Sequence, residues 1–480
     1  MPMSFEYFSA TQLLSMFRDK TLSPVEVLTS YQQQIAKVNH KVNAFTSTDF
    51  DDAEKNAKQA EDTYANGLWA PLSGLQLAIK DETYILGQPM TNGSVLLKDN
   101  ISTTTDPAAE RLLAANASII GRTTTPEFSA SSVTWSHLWG VSRNPWNLDI
   151  TCGGSSGGSA IAVASGMCSF ANGTDIGGSI RIPAAMCGVY GYKPPHGRIA
   201  EISPYNIDPY CHHGVLARSV DDVLLGYGQM KGPHIQDSHS YLPDNFSQMT
   251  ELPDVKGLRI AVSLNLGFYQ VEQDILDNLL ASAKLLEQAG AIVDFIDIDW
   301  DEQVIQTAKV HQRSLMGKLM LRDYGAAHLR QQLTPYVQQY LDKVEQTTLD
   351  DVFDANQHLC VMWDKIAPVF ATYDVLLCPT VATTKVPADF DYSKDDIRIN
   401  LKQVDANKGW FMTYPFNSLG QCPVLAMPNG MCDNQVPSSL QIVGGPYQEA
   451  PVFAVGKYLE SAQPLRWFQD HFPEFNRHNL

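Results

Sequence analysis

The sequence predicts an α/β protein built on a mixed or mostly parallel sheet. Three observations predict it. Helix starts with a capping residue and proline at the first helical position recur along the chain, as at Ser23-Pro24-Val25-Glu26 and Asp106-Pro107-Ala108-Ala109-Glu110. Short apolar runs of strand length alternate with them, at residues 75–79, 118–121 and 258–263. The chain has 480 residues at 44% hydrophobic content, enough for a sizeable core.

In order, the chain opens with two helices expected to cover the sheet. Ser9 precedes a segment carrying Leu13, Leu14, Met16 and Phe17, and Ser23 with Glu26 makes a capping box ahead of Val27, Leu28 and Ile35. Residues 51–64, acidic and alanine-rich, read as a third, more exposed helix. Pro71-Leu72-Ser73-Gly74 then turns the chain into a short strand whose end delivers Lys80 and Asp81. A helix runs from Asp106-Pro107 to Asn116, a strand follows at 118–121, and Thr125-Pro126-Glu127-Phe128 starts one more capped segment. Residues 160–163 are helix formers with Gly166 as a stop, and 167–171 read as a short buried strand.

Beyond the centre the alternation continues. A strand at 258–263 leads to a helix with apolar positions from Ile275 to Leu286, ending at Gly290, and a strand at 291–295 follows. Residues 303–370 read as mostly helical, and strands are expected at 374–380, 421–428 and 440–443 before an amphipathic helix at 449–460. Nothing resembles an interdomain tether. Residues 1–480 are therefore expected to form a single domain, with a variable, mostly helical region at about 229–373 as the place for specificity-determining walls.

Charge and composition exclude several classes. With 52 acidic against 34 basic residues the formal net charge is −18, without a basic run, so nucleic acid and anionic lipid surfaces are not expected partners. No apolar run of about 18 residues occurs and the first residues, Met1-Pro2-Met3-Ser4-Phe5-Glu6, are neither basic nor apolar, so a cytoplasmic protein without a membrane segment is expected. The eight cysteines then read as reduced thiols, Cys187 as a small core hydrophobe. Cys211-His212-His213 is the grouping that suggests a metal, but adjacent residues rarely converge on one ion, and neither a metal nor a cofactor is expected.

The chain is organised around residues 152–193, where two Gly/Ser clusters flank an apolar segment. Gly153-Gly154-Ser155-Ser156-Gly157-Gly158 nearly satisfies a phosphate-binding loop, but Ser159 and Ala160 stand where lysine and a hydroxyl residue are required. The same run satisfies G-x-S-x-G twice, which would make Ser155 or Ser156 the nucleophile of an α/β-hydrolase esterase. That motif needs an apolar strand before it, whereas Asn144-Pro145-Trp146-Asn147-Leu148-Asp149 is turn-like. A non-catalytic binding protein using these loops as tight turns is a third reading.

GGSSGG at 153–158, GTDIGGSIRIPA at 173–184 and Leu77-Ala78-Ile79-Lys80-Asp81 together resemble the amidase signature hydrolases. Similarity extends to the N-terminal helices and to residues 416–444. The resemblance implies the amidase-signature fold, a mixed central β-sheet covered on both faces by helices, and a Ser–cis-Ser–Lys triad. Ser179 would be the nucleophile, Ser155 the bridging serine after a cis peptide and Lys80 the base, with the two serines 24 positions apart as in the family. Backbone N–H groups of Ile176, Gly177, Gly178 and Ser179 would form the oxyanion hole. Asp175 and Arg181 would brace the loop as an ion pair, and Ser156 would be a supporting hydrogen bonder.

The implied activity is hydrolysis of a small carboxylic acid amide through an acyl-serine, without a cofactor. The family also holds the amidotransferase component that works on misacylated tRNA, whose Tyr/Lys-rich tail is absent here, where Trp467, Phe468 and Phe472 stand instead. A homodimer is left open. Read alone, Lys80 is a charge at the solvated end of a strand. As a base it must be neutral, and at its ordinary pKa of about 10.4 only roughly one molecule in two thousand is neutral at pH 7, so burial must depress it. Asp81 and Glu82 oppose this, and the family usually has a neutral residue where Glu82 stands.

Overall fold

The computed structural model describes residues 5–241 and 252–477. The expectation drawn from Met1 to Ser4, and residues 242–251 of the variable region, lie outside the described residues.

Among the described residues eleven strands form one mixed sheet. Across it they run Phe45–Thr48, Ser118–Thr123, Gln76–Lys80, Ala171–Thr174, His213–Ala217, Tyr190–Lys193, Val424–Met431, Pro437–Gly444, Val375–Pro379, Arg259–Val262 and Ile292–Phe295. Gln76–Lys80 and Ser118–Thr123 are buried throughout and pair in parallel, because the helix Pro107–Ala114 carries the chain back between them. Val424–Met431 and Pro437–Gly444 pair antiparallel, joined by a short turn. Arg259–Val262 and Ile292–Phe295, from the 229–373 region, extend the far edge of the same sheet.

Helices flank this sheet. Both N-terminal capping boxes form, at Ser9 with Gln12 and at Ser23 with Glu26. The helices they start bury Leu13, Phe17, Val27 and Tyr31 in one large core with Leu77, Ile79 and Phe170. A second core gathers Ile182, Leu376, Trp410 and Phe416 with Met362 and Ile366 of the long helix Leu349–Thr372. The helix Gly157–Ala164 is buried at every position, and its one polar side chain, Ser159, is satisfied by Thr123 Oγ1 at 2.7 Å. No helix among the described residues is long and apolar enough to cross a membrane, and the eight cysteines are free thiols.

Some local expectations shift. The strand expected at 167–171 lies at Ala171–Thr174, because its register is set by pairing with His213–Ala217, while Met167, Cys168 and Phe170 fill the core from a turn. The capped segment at Thr125 is a single 3-10 turn, Glu127–Ser129, with Phe128 at φ 53°. Its course is set by distant partners, since the buried Glu127 carboxylate accepts from Ser94 Oγ (2.7 Å), Thr334 N (2.6 Å) and Thr334 Oγ1 (2.8 Å). Residues 303–370 are mostly helical as expected, with a π-turn at Arg313–Gly317 joining Gln303–Gln312 to Lys318–Tyr324.

Candidate active site

Strands on both sides hold Gln76–Lys80, and its last residue is not solvated: Lys80 is 0% exposed. Its backbone N–H donates to Asn172 Oδ1 (2.8 Å), and its Nζ donates to Ser155 Oγ (2.6 Å), Thr174 Oγ1 (2.8 Å) and Glu82 Oε1 (2.9 Å). The Gly154–Ser155 peptide is cis. Burial pushes the Lys80 ammonium below its ordinary value, and Glu82 pushes it partway back. Burial alone would raise Glu82, but Lys80, Ser129 and Thr174 outweigh it and keep the carboxylate ionised. Asp81 is turned away, accepting from Thr91 Oγ1 (2.5 Å) and from the amides of Thr91 and Gly93 (3.2 Å each).

The second loop is built around one buried carboxylate. Asp175 accepts Gly178 N–H at 2.7 Å and Ile180 N–H at 3.2 Å, and Arg181 grips both its oxygens at 3.0 Å. Both side chains are wholly buried. Arg181 also donates to Thr413 O, Gln441 Oε1 and Asn417 Oδ1, anchoring the loop to the C-terminal third of the chain. Burial would raise Asp175, but Arg181 and Asn417 hold it well below the usual carboxylate range.

This differs from the expected set of four inward-facing amides. Gly178 N–H is committed to Asp175, because a buried charge takes the nearest donors. Among the described residues no protein group accepts from the amides of Ile176, Gly177 or Ser179. Ser156 ties the two loops together: its N–H donates to Ser179 O (3.1 Å), and its hydroxyl bridges the backbone N–H and C=O of Thr174 (3.3 Å each).

Ser155 and Ser179 face different cavities. Ser179, 8% exposed, lines one of about 40 Å³ with Ile176, Gly177, Gln312, Tyr340 and Lys408. Ser155 lines one of about 100 Å³ with Glu82, Thr174, Asp106, Glu201 and His213. Ser129, Ile176 and Met316 belong to both walls. Among the described residues no hydrogen bond joins the two serine hydroxyls directly. Burial and then Lys309 lower Lys408 to about 7 beside the Ser179 cavity.

Several of these residues escaped sequence reasoning. Thr174 directly precedes Asp175 in the second cluster and could have been found there. Ser129, Lys408, Asp106 and Glu201 belong to no local motif. His213 is part of the Cys211-His212-His213 run, yet its partner is Glu201 at 3.2 Å, with Asp106 nearby; these three are the one group among the described residues whose potential metal-ligating atoms converge, all within 4.8 Å of one another. His212 instead contacts the carbonyls of Tyr210 and Gly420.

A lysine and a serine after a cis peptide thus meet directly, and Ser156 ties the glycine loop that carries the second serine to them. Comparison with known proteins gives the same arrangement a family. The family model described as Amidase matches residues 26–453. An acylamidase of Rhodococcus erythropolis is 31% identical over 96% of this chain and 96% of its own length. The A-type component of the glutamyl-tRNA(Gln) amidotransferase of Lachnospira eligens is 31% identical over 96% and 99%. Among solved structures, a bacterial aryl acylamidase of the amidase signature family superposes with a TM-score of 0.88 at 28% identity, covering 96% of this chain and 97% of that one. A match of this extent, reaching from the second helix to the last, together with the geometry around Lys80, places the chain in the amidase signature family.

Proposed function

We propose that this chain is an amidase that hydrolyses the C–N bond of small carboxylic acid amides through an acyl-enzyme on Ser179. The observation that carries the reading is the buried contact of Lys80 Nζ with Ser155 Oγ at 2.6 Å, close to the loop that holds Ser179. Neutral Lys80 accepts a proton from Ser155, which takes one from Ser179 as its Oγ attacks the acyl carbon. The amides of Ile176, Gly177 and Ser179 receive the developing oxyanion; donors of this kind are worth about 3 kcal/mol each. The C–N bond breaks as Ser155 returns a proton to the leaving nitrogen. Water, deprotonated by the same relay, then attacks the acyl-serine, and the acid departs while Ser179 regains its proton.

A fluorophosphonate probe tests the assignment. The adduct is expected on the peptide bearing Ser179, abolished in Ser179→Ala and slowed in Ser155→Ala with its site unchanged. An adduct on Ser155 or Ser156 would instead support the α/β-hydrolase esterase reading, and no adduct with no turnover a binding protein. The relative named as an amidotransferase component supports one further reading, release of ammonia from glutamine within an assembly of several chains. Hydrolysis of simple amides by the chain purified alone favours the free-standing amidase.

A further inference from the structure

We propose that the cavity behind Ser155 seats a positively charged leaving amine, so that the preferred substrates are amides of diamines or of other amines bearing an ammonium group. This rests on the amidase reading. In that reaction the relay returns its proton from Ser155 to the departing nitrogen, so the amine half of the substrate lies on the Ser155 side. Ser155 lines the cavity of about 100 Å³, and Ser179 lines the other.

The walls on the Ser155 side are acidic, with Glu82, Asp106 and Glu201. Two of these carboxylates have a cation: Glu82 pairs with Lys80 at 2.9 Å, and Glu201 with His213 at 3.2 Å. Asp106 has none within ion-pair distance among the described residues. It is 2% exposed; its Oδ2 accepts Tyr84 N–H at 2.6 Å, and its Oδ1 has no partner. Although it precedes the helix Pro107–Ala114, its side chain makes no cap there. His213 Nδ1, on the same wall, is likewise buried without a partner.

A buried carboxylate with a free oxygen either protonates or takes a cation. Burial accordingly pushes Asp106 up to about 7, and a positive charge in the cavity it lines would return it to the ionised form. Asp106 and Glu201, with one carboxylate oxygen of each within 4.8 Å of the other, offer an ammonium two acceptors, while His213, which burial would lower but Glu201 raises to about 9, stays paired with Glu201. The space is that of about three waters or the short alkylammonium that displaces them.

The test compares the benzamide of ethylenediamine with the benzamide of propylamine, its neutral isostere with the same acyl group. The parent enzyme is expected to favour the cationic substrate by at least about tenfold in kcat/KM, because a site built for a charged donor rejects the analogue lacking it. Asp106→Asn and Glu201→Gln, each checked for folding by circular dichroism, are expected to bring that ratio near one, chiefly through KM. Hydrolysis of both amides at equal rates, or a preference that survives both substitutions, overturns the inference while leaving the amidase reading intact. Loss of the preference on EDTA treatment would assign the cluster to a divalent metal and overturn it too. No hydrolysis of any amide by the folded enzyme overturns the amidase reading, and this inference with it.

Discussion

Glu82 Oε1 lies 2.9 Å from Lys80 Nζ, so the buried amine that contacts Ser155 is also one half of an ion pair. Burial favours the neutral amine and Glu82 favours the ammonium. A base is active only when deprotonated, so activity rises with pH through the pKa of Lys80. Removing the carboxylate's charge removes the force that raises that pKa. Glu82→Gln is therefore expected to move the alkaline-going limb of kcat/KM to lower pH, as measured across roughly pH 5 to 10. A limb that stays in place or moves upward would remove Glu82 from the tuning of the base.

Lys80→Ala deletes the proton acceptor itself. It is expected to lower kcat/KM by about 10²–10⁴-fold, the usual worth of a positioned general base, and to flatten the pH profile over the same range. A variant with the parent's rate and profile would eliminate Lys80 as the base.

The Asp175–Arg181 pair is expected to matter first for stability. Arg181→Met leaves a wholly buried carboxylate without its cation, which costs about 3–5 kcal/mol, read as a lower denaturant midpoint. Because the folded-state pKa of Asp175 is depressed, its contribution is complete above the unfolded value of about 3.9 and is lost as pH falls through the folded value. The parent should therefore lose stability faster than Arg181→Met on acidification below about pH 4. Parallel acid titrations would count against the pair as the loop's brace.

Two adjacent glycines should respond differently to a methyl group. Gly178 has φ +123° and its added Cβ would collide with Thr413 Oγ1, which is buried and donates to Gly177 O at 2.7 Å. Gly178→Ala is expected to destabilise by at least about 1–3 kcal/mol from backbone strain alone and to abolish probe labelling. At Gly177 the new Cβ would meet Gln312 Nε2 at 2.8 Å, the movable end of a side chain. Gly177→Ala should fold within about 0.5 kcal/mol of the parent while changing KM, since Gln312 lines the Ser179 cavity. Equal thermal stability of the two variants would contradict the loop geometry.

What could be read directly from the sequence was whatever depends on neighbours in the chain. Capping boxes at Ser9 and Ser23 form because a helix start is satisfied within four residues. The second Gly/Ser cluster was legible for the same reason: Gly178, Ile180 and Arg181 all donate to Asp175 within a span of seven residues. Strands buried on both faces, such as Gln76–Lys80, announce themselves as apolar runs.

Tertiary structure alone decided what depends on residues brought together from afar. Tyr190–Lys193 and His213–Ala217 are strands because each finds partners on both sides, not because their sequences demand it. The burial of Lys80, and with it the direction of its pKa, follows from strands far along the chain closing over its end. Asp106, Glu201 and His213 lie on three segments with no shared motif, and only the folding of those segments around one cavity makes their charges a single site. Local hydrogen bonds and periodicity are encoded within a few residues, whereas desolvation and the summed field of distant charges exist only once the sheet has closed.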